Sequence, residues 1–236
     1  MALPKINSTP EFNVVVPSTG ESVAFRPYLV KEEKVLMLAF ESKDTAQAAK
    51  AIGNTLNACA QDDGFNAFKC TTYDVEYIFT TLRTKSVGET SDVILKCSEC
   101  ESKNDVTINL EEVDIKDAKI KRETVKLTDS VSVDLSYPQY GLLTSITAEG
   151  EALQDGIKMI GACIDAINTE EERYGREDFK PAELEEFMEQ LTTEQFKKLS
   201  EFLKDIPKLE HDVSFKCVNC GHENHATLSG MQDFLS

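Results

Sequence analysis

Two Cys-x-x-Cys units, Cys97-Ser98-Glu99-Cys100 and Cys217-Val218-Asn219-Cys220, carry the residues whose type and spacing could do chemistry. Two residues between cysteines let a loop fold back so that both sulfurs enter one concave site. Two such loops meeting supply the four thiolates of a tetrahedral zinc centre. We therefore read Cys97, Cys100, Cys217 and Cys220 as one split metal site holding one structural Zn²⁺ per chain, although 116 residues lie between the units. Gly221 follows the second unit, where a residue without Cβ lets the backbone turn tightly. Glu101 stands at that place after the first unit. The blander reading is two independent surface turns with reduced thiols. A redox pair is the third, but it needs a Cys-x-x-Cys opening a helix beside a parallel sheet, whereas both units here sit between strand-like runs.

His222 and His225 follow Cys220 closely and could replace a cysteine ligand, yet four sulfurs already complete the set. An all-cysteine site leaves no open position for the water of a catalytic zinc. No phosphate-binding loop, dinucleotide fingerprint, His-Glu-x-x-His or Gly-x-Ser-x-Gly occurs in the chain. All three histidines lie after residue 210, so Cys217 or Cys220 with His222 or His225 is the one local nucleophile–base grouping. The expected chain is not an enzyme; a metal-dependent or thiol enzyme is the alternative. Glu183, Glu185, Glu186 and Glu189 invite an acid–base reading, but solvated carboxylates are what the outer face of an amphipathic helix carries.

Composition bounds the partners. With 236 residues, 41% hydrophobic and 28% charged, twelve Phe and no Trp, the chain can fold around a sizeable core. Forty-two acidic against 25 basic residues give a net charge of −17, a field that repels phosphate backbones, so nucleic acid is not an expected partner. No run is long and apolar enough for a membrane span, and no secretory leader opens the sequence. A reducing compartment then keeps Cys59, Cys70 and Cys163 as thiols. Cys59 and Cys163 fall on apolar helical faces and read as small buried hydrophobes.

The elements that must position the cysteines follow from periodicity. Phe12–Val16 and Ser22–Phe25 predict a hairpin, and Val30–Phe40, almost continuously apolar after Lys31-Glu32-Glu33-Lys34, predicts a helix buried on most sides. Asp44 is the expected cap of a helix with Ala49, Ile52, Leu56 and Cys59 inward; Asp74 is the expected cap of another with Val75, Ile78, Phe79 and Leu82 inward. Alternation through Val93 and Leu95, and again through Val106 and Ile108, places the first cysteine pair at a hairpin tip. Val125 to Tyr137 continues the period of two, predicting one small antiparallel sheet that carries this half-site. Leu153, Ile157, Ile160, Ile164 and Ile167 predict one long helical stripe, with Gly156 and Gly161 opposite it and Thr169–Arg176 a charged loop after it. Pro181 starts the next helix, and Thr192 with Gln195 forms a capping box. Val213 and Phe215 lead into the second pair; Ala226 and Leu228 lead out. The fold class is α+β: an N-terminal hairpin plus helical region (1–90), an antiparallel sheet with a split zinc ribbon (91–138 and 209–236), and an inserted helical region (139–208).

One resemblance spans nearly the whole chain. The segment from Phe12 to Lys34, then Leu82-Arg83 with Ser86-Val87-Gly88-Glu89, the first cysteine pair, Val133-Asp134-Leu135-Ser136-Tyr137-Pro138, and the second pair with Gly230 to Leu235 resemble, in order, the baseplate hub assembly proteins of T-even-like tailed bacteriophages. That resemblance implies a phage protein acting in the host cytoplasm, as an assembly chaperone or hub component of a contractile tail. Its partners would be baseplate hub or tail proteins, with self-association a further prospect. The resemblance carries no catalytic residue.

Overall fold

The computed structural model describes residues 10–42, 44–115, 118, 121–144 and 152–234. The chain is α+β, a mixture of helices and small antiparallel sheets. β1 (Phe12–Val15) and β2 (Ser22–Phe25) form the expected hairpin. α1 (Val30–Glu41) lies on α2 (Thr45–Cys59), and α3 (Thr72–Ser86) completes the N-terminal part. Asp44 caps α2 as expected, accepting from the Ala46 and Gln47 N–H groups. The cap of α3 is Thr71, not Asp74. Asp74 sits one turn further in, completes a capping box with Thr71, and also takes the Ser18 N–H and hydroxyl. It is fully buried and ties the β1–β2 turn to the start of α3; a cap of this kind contributes about 1 kcal/mol.

The expectation that the Val30–Phe40 helix is core is overturned. Of α1, only Glu32 and Leu36 are buried, while Val30, Val35, Met37, Leu38 and Phe40 are exposed, Leu38 by 68%. Glu32 decides this orientation. Its carboxylate accepts from Arg26 at 3.0 Å and from the Leu29 N–H at 2.8 Å, so the side of the helix carrying Glu32 and Leu36 turns inward, and most of its apolar residues, with Lys31, Lys34 and Glu41, turn out. These contacts hold the Glu32 carboxyl below its usual range even though burial pushes the other way.

β3 (Thr90–Lys96) and β4 (Lys103–Asn109) form a two-stranded hairpin of their own. β5 (Asp114–Ile115) joins the later β10 (Leu209–Lys216) and β11 (Glu223–Ser229) in a three-stranded sheet ordered β11-β10-β5. β6 (Arg122–Lys126) and β7 (Ser132–Ser136) belong to neither sheet. They pair instead with β8 (Ile164–Asn168) and β9 (Arg173–Gly175) in the order β6-β7-β8-β9. The single sheet carrying the first half-site is thus replaced by separate sheets.

After α4 (Tyr140–Leu143), the predicted long helical stripe breaks in two: α5 (Ala152–Cys163) ends, and Ile164 and Ile167 lie on β8. Arg176 marks the switch, its guanidinium donating to the carbonyls of Gly161, Ala162 and Ile164. It thereby occupies acceptors the helix end leaves free. β-branched Ile164 and Ile167 then suit a strand edge-bonded to β7. The charged loop Thr169–Arg176 contains β9, so the stretch 139–208 is not helical throughout. A Cβ on Gly161 would come within 3.3 Å of Leu184, showing the expected close packing against α6 (Pro181–Glu189), whereas Gly156 faces open space. Pro181 and the Thr192–Gln195 box start α6 and α7 (Thr193–Phe202) as predicted. α8 (Met231–Phe234) follows β11.

Among the described residues two apolar cores result. One joins Phe25, Ile52, Leu56, Val75, Ile78, Phe79 and Leu82. The other collects Val93 and Ile108 from the first cysteine hairpin, Val213 and Leu228 from the second, Val133 and Leu135 from the four-stranded sheet, and Ile160, Leu199 and Phe202 from the helices. Tyr73 enters the second core from α3, so that helix serves both. Each cysteine hairpin is therefore rooted in one common core.

Candidate metal centre

Both cysteine loops are hairpin tips, as alternation predicted, and the fold brings them together. The sulfurs of Cys97, Cys100, Cys217 and Cys220 lie within 4.8 Å of one another. Cys97 and Cys220 sulfurs are 3.7 Å apart and those of Cys100 and Cys217 are 3.6 Å apart. A tetrahedron with zinc–sulfur bonds of about 2.3 Å has sulfur–sulfur edges of about 3.8 Å, so the donor set fits a zinc-sized cation. The same separations are far too long for a disulfide, whose sulfurs stand about 2.05 Å apart.

Each loop closes on itself in the same way. The Cys97 N–H donates to the Ser102 carbonyl at 2.9 Å and the Glu101 N–H to the Cys97 carbonyl at 2.9 Å; in the second loop Cys217 donates to His222 at 2.8 Å and Gly221 to Cys217 at 3.0 Å. The N–H groups of Glu99 and Asn219 point at the sulfurs of Cys97 and Cys217, both at 3.4 Å. Such donors stabilise thiolates. Glu101 and Gly221 both adopt positive φ, 57° and 75°, so the turn makes the same backbone demand whether or not glycine meets it.

The loops also clasp each other. Asn104 Oδ1 accepts from the Val218 N–H at 2.9 Å, and Asn224 Oδ1 accepts from the Ser98 N–H at 2.9 Å. Both asparagines are buried. Asn224 Nδ2 further reaches the Cys97 sulfur at 3.6 Å. These two residues were missed in the sequence, where each stands four positions beyond the second cysteine of its pair. The signal was there as an internal repeat. Asp92-Val93, Lys96, Cys97, Cys100, Asn104 and Thr107 recur as Asp212-Val213, Lys216, Cys217, Cys220, Asn224 and Thr227, and the strand registers repeat with them.

The sulfurs compete for negative charge. The Ser102 hydroxyl, 3.1 Å from the Cys217 sulfur, with the Cys220 and Asn219 N–H groups, brings the Cys217 thiol down to about 5. Ser102 likewise lowers Cys100. The His222 N–H favours the thiolate of Cys220, but the neighbouring Cys100 sulfur, burial and the remaining cysteines outweigh it and push this thiol up to about 12. A divalent cation would remove this conflict by letting all four be thiolates.

Neither histidine belongs to the group of sulfurs. His225 Nδ1 is instead 2.8 Å from the Ser214 hydroxyl across the hairpin. The other cysteines are not activated: burial pushes Cys59 up to about 11 and Cys70 and Cys163 up to about 12, the opposite of what a nucleophile needs. Cys59 and Cys163 are buried, as expected of small hydrophobes. A cavity of about 480 Å³ beside α5 and α6, lined by Ile157, Phe179, Leu184 and Met188, also carries Lys158, Arg176 and Glu185 on its wall; the Arg176 guanidinium is occupied by the carbonyls at the end of α5. Among the described residues no helix is long and apolar enough to cross a membrane.

No curated protein and no solved structure matches the chain. The family model described as T4 bacteriophage base plate protein matches residues 9–236. With that match running through both cysteine hairpins and everything between them, the chain belongs to the T4 bacteriophage base plate protein family.

Proposed function

We propose that this baseplate protein is a non-enzymatic assembly factor of the baseplate hub, a chaperone or hub component that works in the host cytoplasm by binding other phage tail proteins. One structural Zn²⁺ held by Cys97, Cys100, Cys217 and Cys220 would clasp its two hairpins. Family membership supports the baseplate setting, and the ordered resemblance to hub assembly proteins narrows it to the hub. The single observation that favours a structural over a catalytic metal is the closure of four sulfurs on one another at 3.6–3.7 Å along two edges. Four thiolates leave no coordination position for a reacting water.

An affinity pull-down of the tagged protein from phage-infected cells tests the role. Hub subunits are expected in the eluate, and recovery of only non-hub baseplate proteins would overturn the hub assignment. Metal analysis tests the clasp independently: one zinc per chain is expected, and a metal-free protein of equal stability would overturn it. Metal-supported turnover of any substrate with the fold intact would favour an enzyme instead.

A further inference from the structure

The outward side of α1 carries Val30, Lys34, Met37, Leu38 and Glu41, which recur at i, i+4, i+7, i+8 and i+11 and so form one stripe along a helix. All five are exposed. α1 rests on α2 by its other side, and five of the exposed large apolar residues of the chain belong to α1. The stripe is mixed: Val30, Met37 and Leu38 expose apolar surface, with Lys34 and Glu41 set among them and Val35 and Phe40 exposed on its flanks, and an exposed apolar patch carrying charges at fixed places marks an interaction surface. Its charges say which one. Lys34 stands nearer the start of the stripe and Glu41 at its end, and among the described residues neither has an ion-pair partner.

We propose that α1 is the seam of an isologous homodimer, in which α1 packs antiparallel on α1 of a second copy about an axis passing between Met37 and Leu38. That register sets Met37 against Leu38 of the second copy at the centre. It sets Lys34 against Glu41 of the second copy on both sides, because those two residues are equidistant from the axis. Two copies of one surface satisfy each other's charges, which is the condition an isologous contact imposes. The overall charge of −17 opposes association, but at physiological ionic strength it is screened beyond about 8 Å, whereas the charges in the seam meet directly. A seam of one short helix pair is small, so the dimer is weak and forms at micromolar protein concentrations or above.

Sedimentation velocity of the purified full-length protein over about 1–300 µM at physiological salt reads this directly. A reversible monomer–dimer equilibrium is expected. Leu38→Asp should weaken it at least about tenfold with an unchanged circular dichroism spectrum, since Leu38 faces solvent in the monomer. Lys34→Glu and Glu41→Lys should each weaken it, and the two together should restore it, because the pairs re-form with reversed sign. A protein monomeric throughout the range overturns the proposal and leaves the stripe to a different partner. A dimer indifferent to Leu38→Asp, or one that the paired charge reversal does not rescue, overturns it equally.

Discussion

The hairpins β3–β4 and β10–β11 begin 120 residues apart in phase, Cys97 answering to Cys217, and yet they are built alike down to their hydrogen bonds. What differs between them is instructive. Their shared residues each do something to the loop or to its mate: cysteines converge, asparagines reach across, and Asp92 with Thr107 matches Asp212 with Thr227, each pair at 2.6 Å. Their unshared residues modify charge and strain. Ser102 sits between two sulfurs where the second loop has His222, and Glu101 takes the left-handed turn where the second loop has Gly221. The frame is nearly symmetric while the electrostatics are not, so the repeated residues set the geometry and the unrepeated ones set the charge at the sulfurs.

The strongest way to break the equivalence is to remove one sulfur. Cys97→Ser and Cys217→Ser should each abolish stoichiometric zinc, because three thiolates and a hydroxyl no longer form the preferred set. A metal bound about a thousandfold more tightly than its free concentration requires contributes about 4 kcal/mol. At about 2–4 °C per kcal/mol for a chain of this size, Tm falls by about 10 °C. Both substitutions should cost alike, since a metal held by all four sulfurs would join the hairpins and either loss would free both. Equal stability of either variant to the wild type, measured by calorimetry, contradicts a metal clasp.

Next in size are the asparagines. Asn104→Ala removes the acceptor of the Val218 N–H and Asn224→Ala that of the Ser98 N–H; both donors belong to exposed residues that water can reach, so each lost hydrogen bond costs about 0.5–1.5 kcal/mol. Asn224→Ala should weaken zinc binding by about tenfold to a hundredfold, and more than Asn104→Ala, because only Asn224 also donates to a ligand sulfur, Cys97. Competition with a chelator of known affinity measures both. A larger loss at Asn104 would reverse the assignment.

The two hairpin tips were legible in the sequence because a period of two around Cys-x-x-Cys has few other meanings. Their mutual clasp was not, since it depends on asparagines that read as ordinary turn residues until two hairpins are overlaid. α1 shows the opposite failure. An almost continuous apolar run predicted burial, but one glutamate within it, Glu32, found Arg26 and the Leu29 N–H and turned most of the helix's apolar residues outward. At Cys163–Ile164 the residues carried a helical period across a boundary that Arg176 defines from 12 residues further on, by claiming the carbonyl of Ile164. Polar partners, some of them only a few residues away, set each of these outcomes, and an apolar period does not report them.

Exchanging the turn residues probes a smaller difference. Gly221→Glu places a side chain at φ 75°, where the left-handed region costs an L-residue about 1–2 kcal/mol. Nothing closer than Lys216 Cε at 3.8 Å would meet the new Cβ, so the cost is backbone strain alone. Glu101→Gly releases the corresponding strain in the first loop but loosens the unfolded chain by about 0.5–1 kcal/mol, leaving a net gain below about 1 kcal/mol. Denaturant titration of the two variants should therefore move in opposite directions and by unequal amounts; a shift in the same direction would show that Glu101 is held by something other than turn geometry.

The smallest effect is the sharpest test of equivalence. Asp92 and Asp212 each accept from a threonine on the neighbouring strand at 2.6 Å, in exposed positions well away from the sulfurs. Cross-strand pairs of this kind contribute about 0.2–1 kcal/mol. Asp92→Ala and Asp212→Ala should thus cost the same within error, should leave zinc affinity unchanged, and should add when combined, because the pairs lie on different hairpins and share no partner. A double variant that loses clearly more than the sum would mean that the hairpins communicate along their strands and not only through the clasp at their tips. Additivity would confine their coupling to the four cysteines and two asparagines.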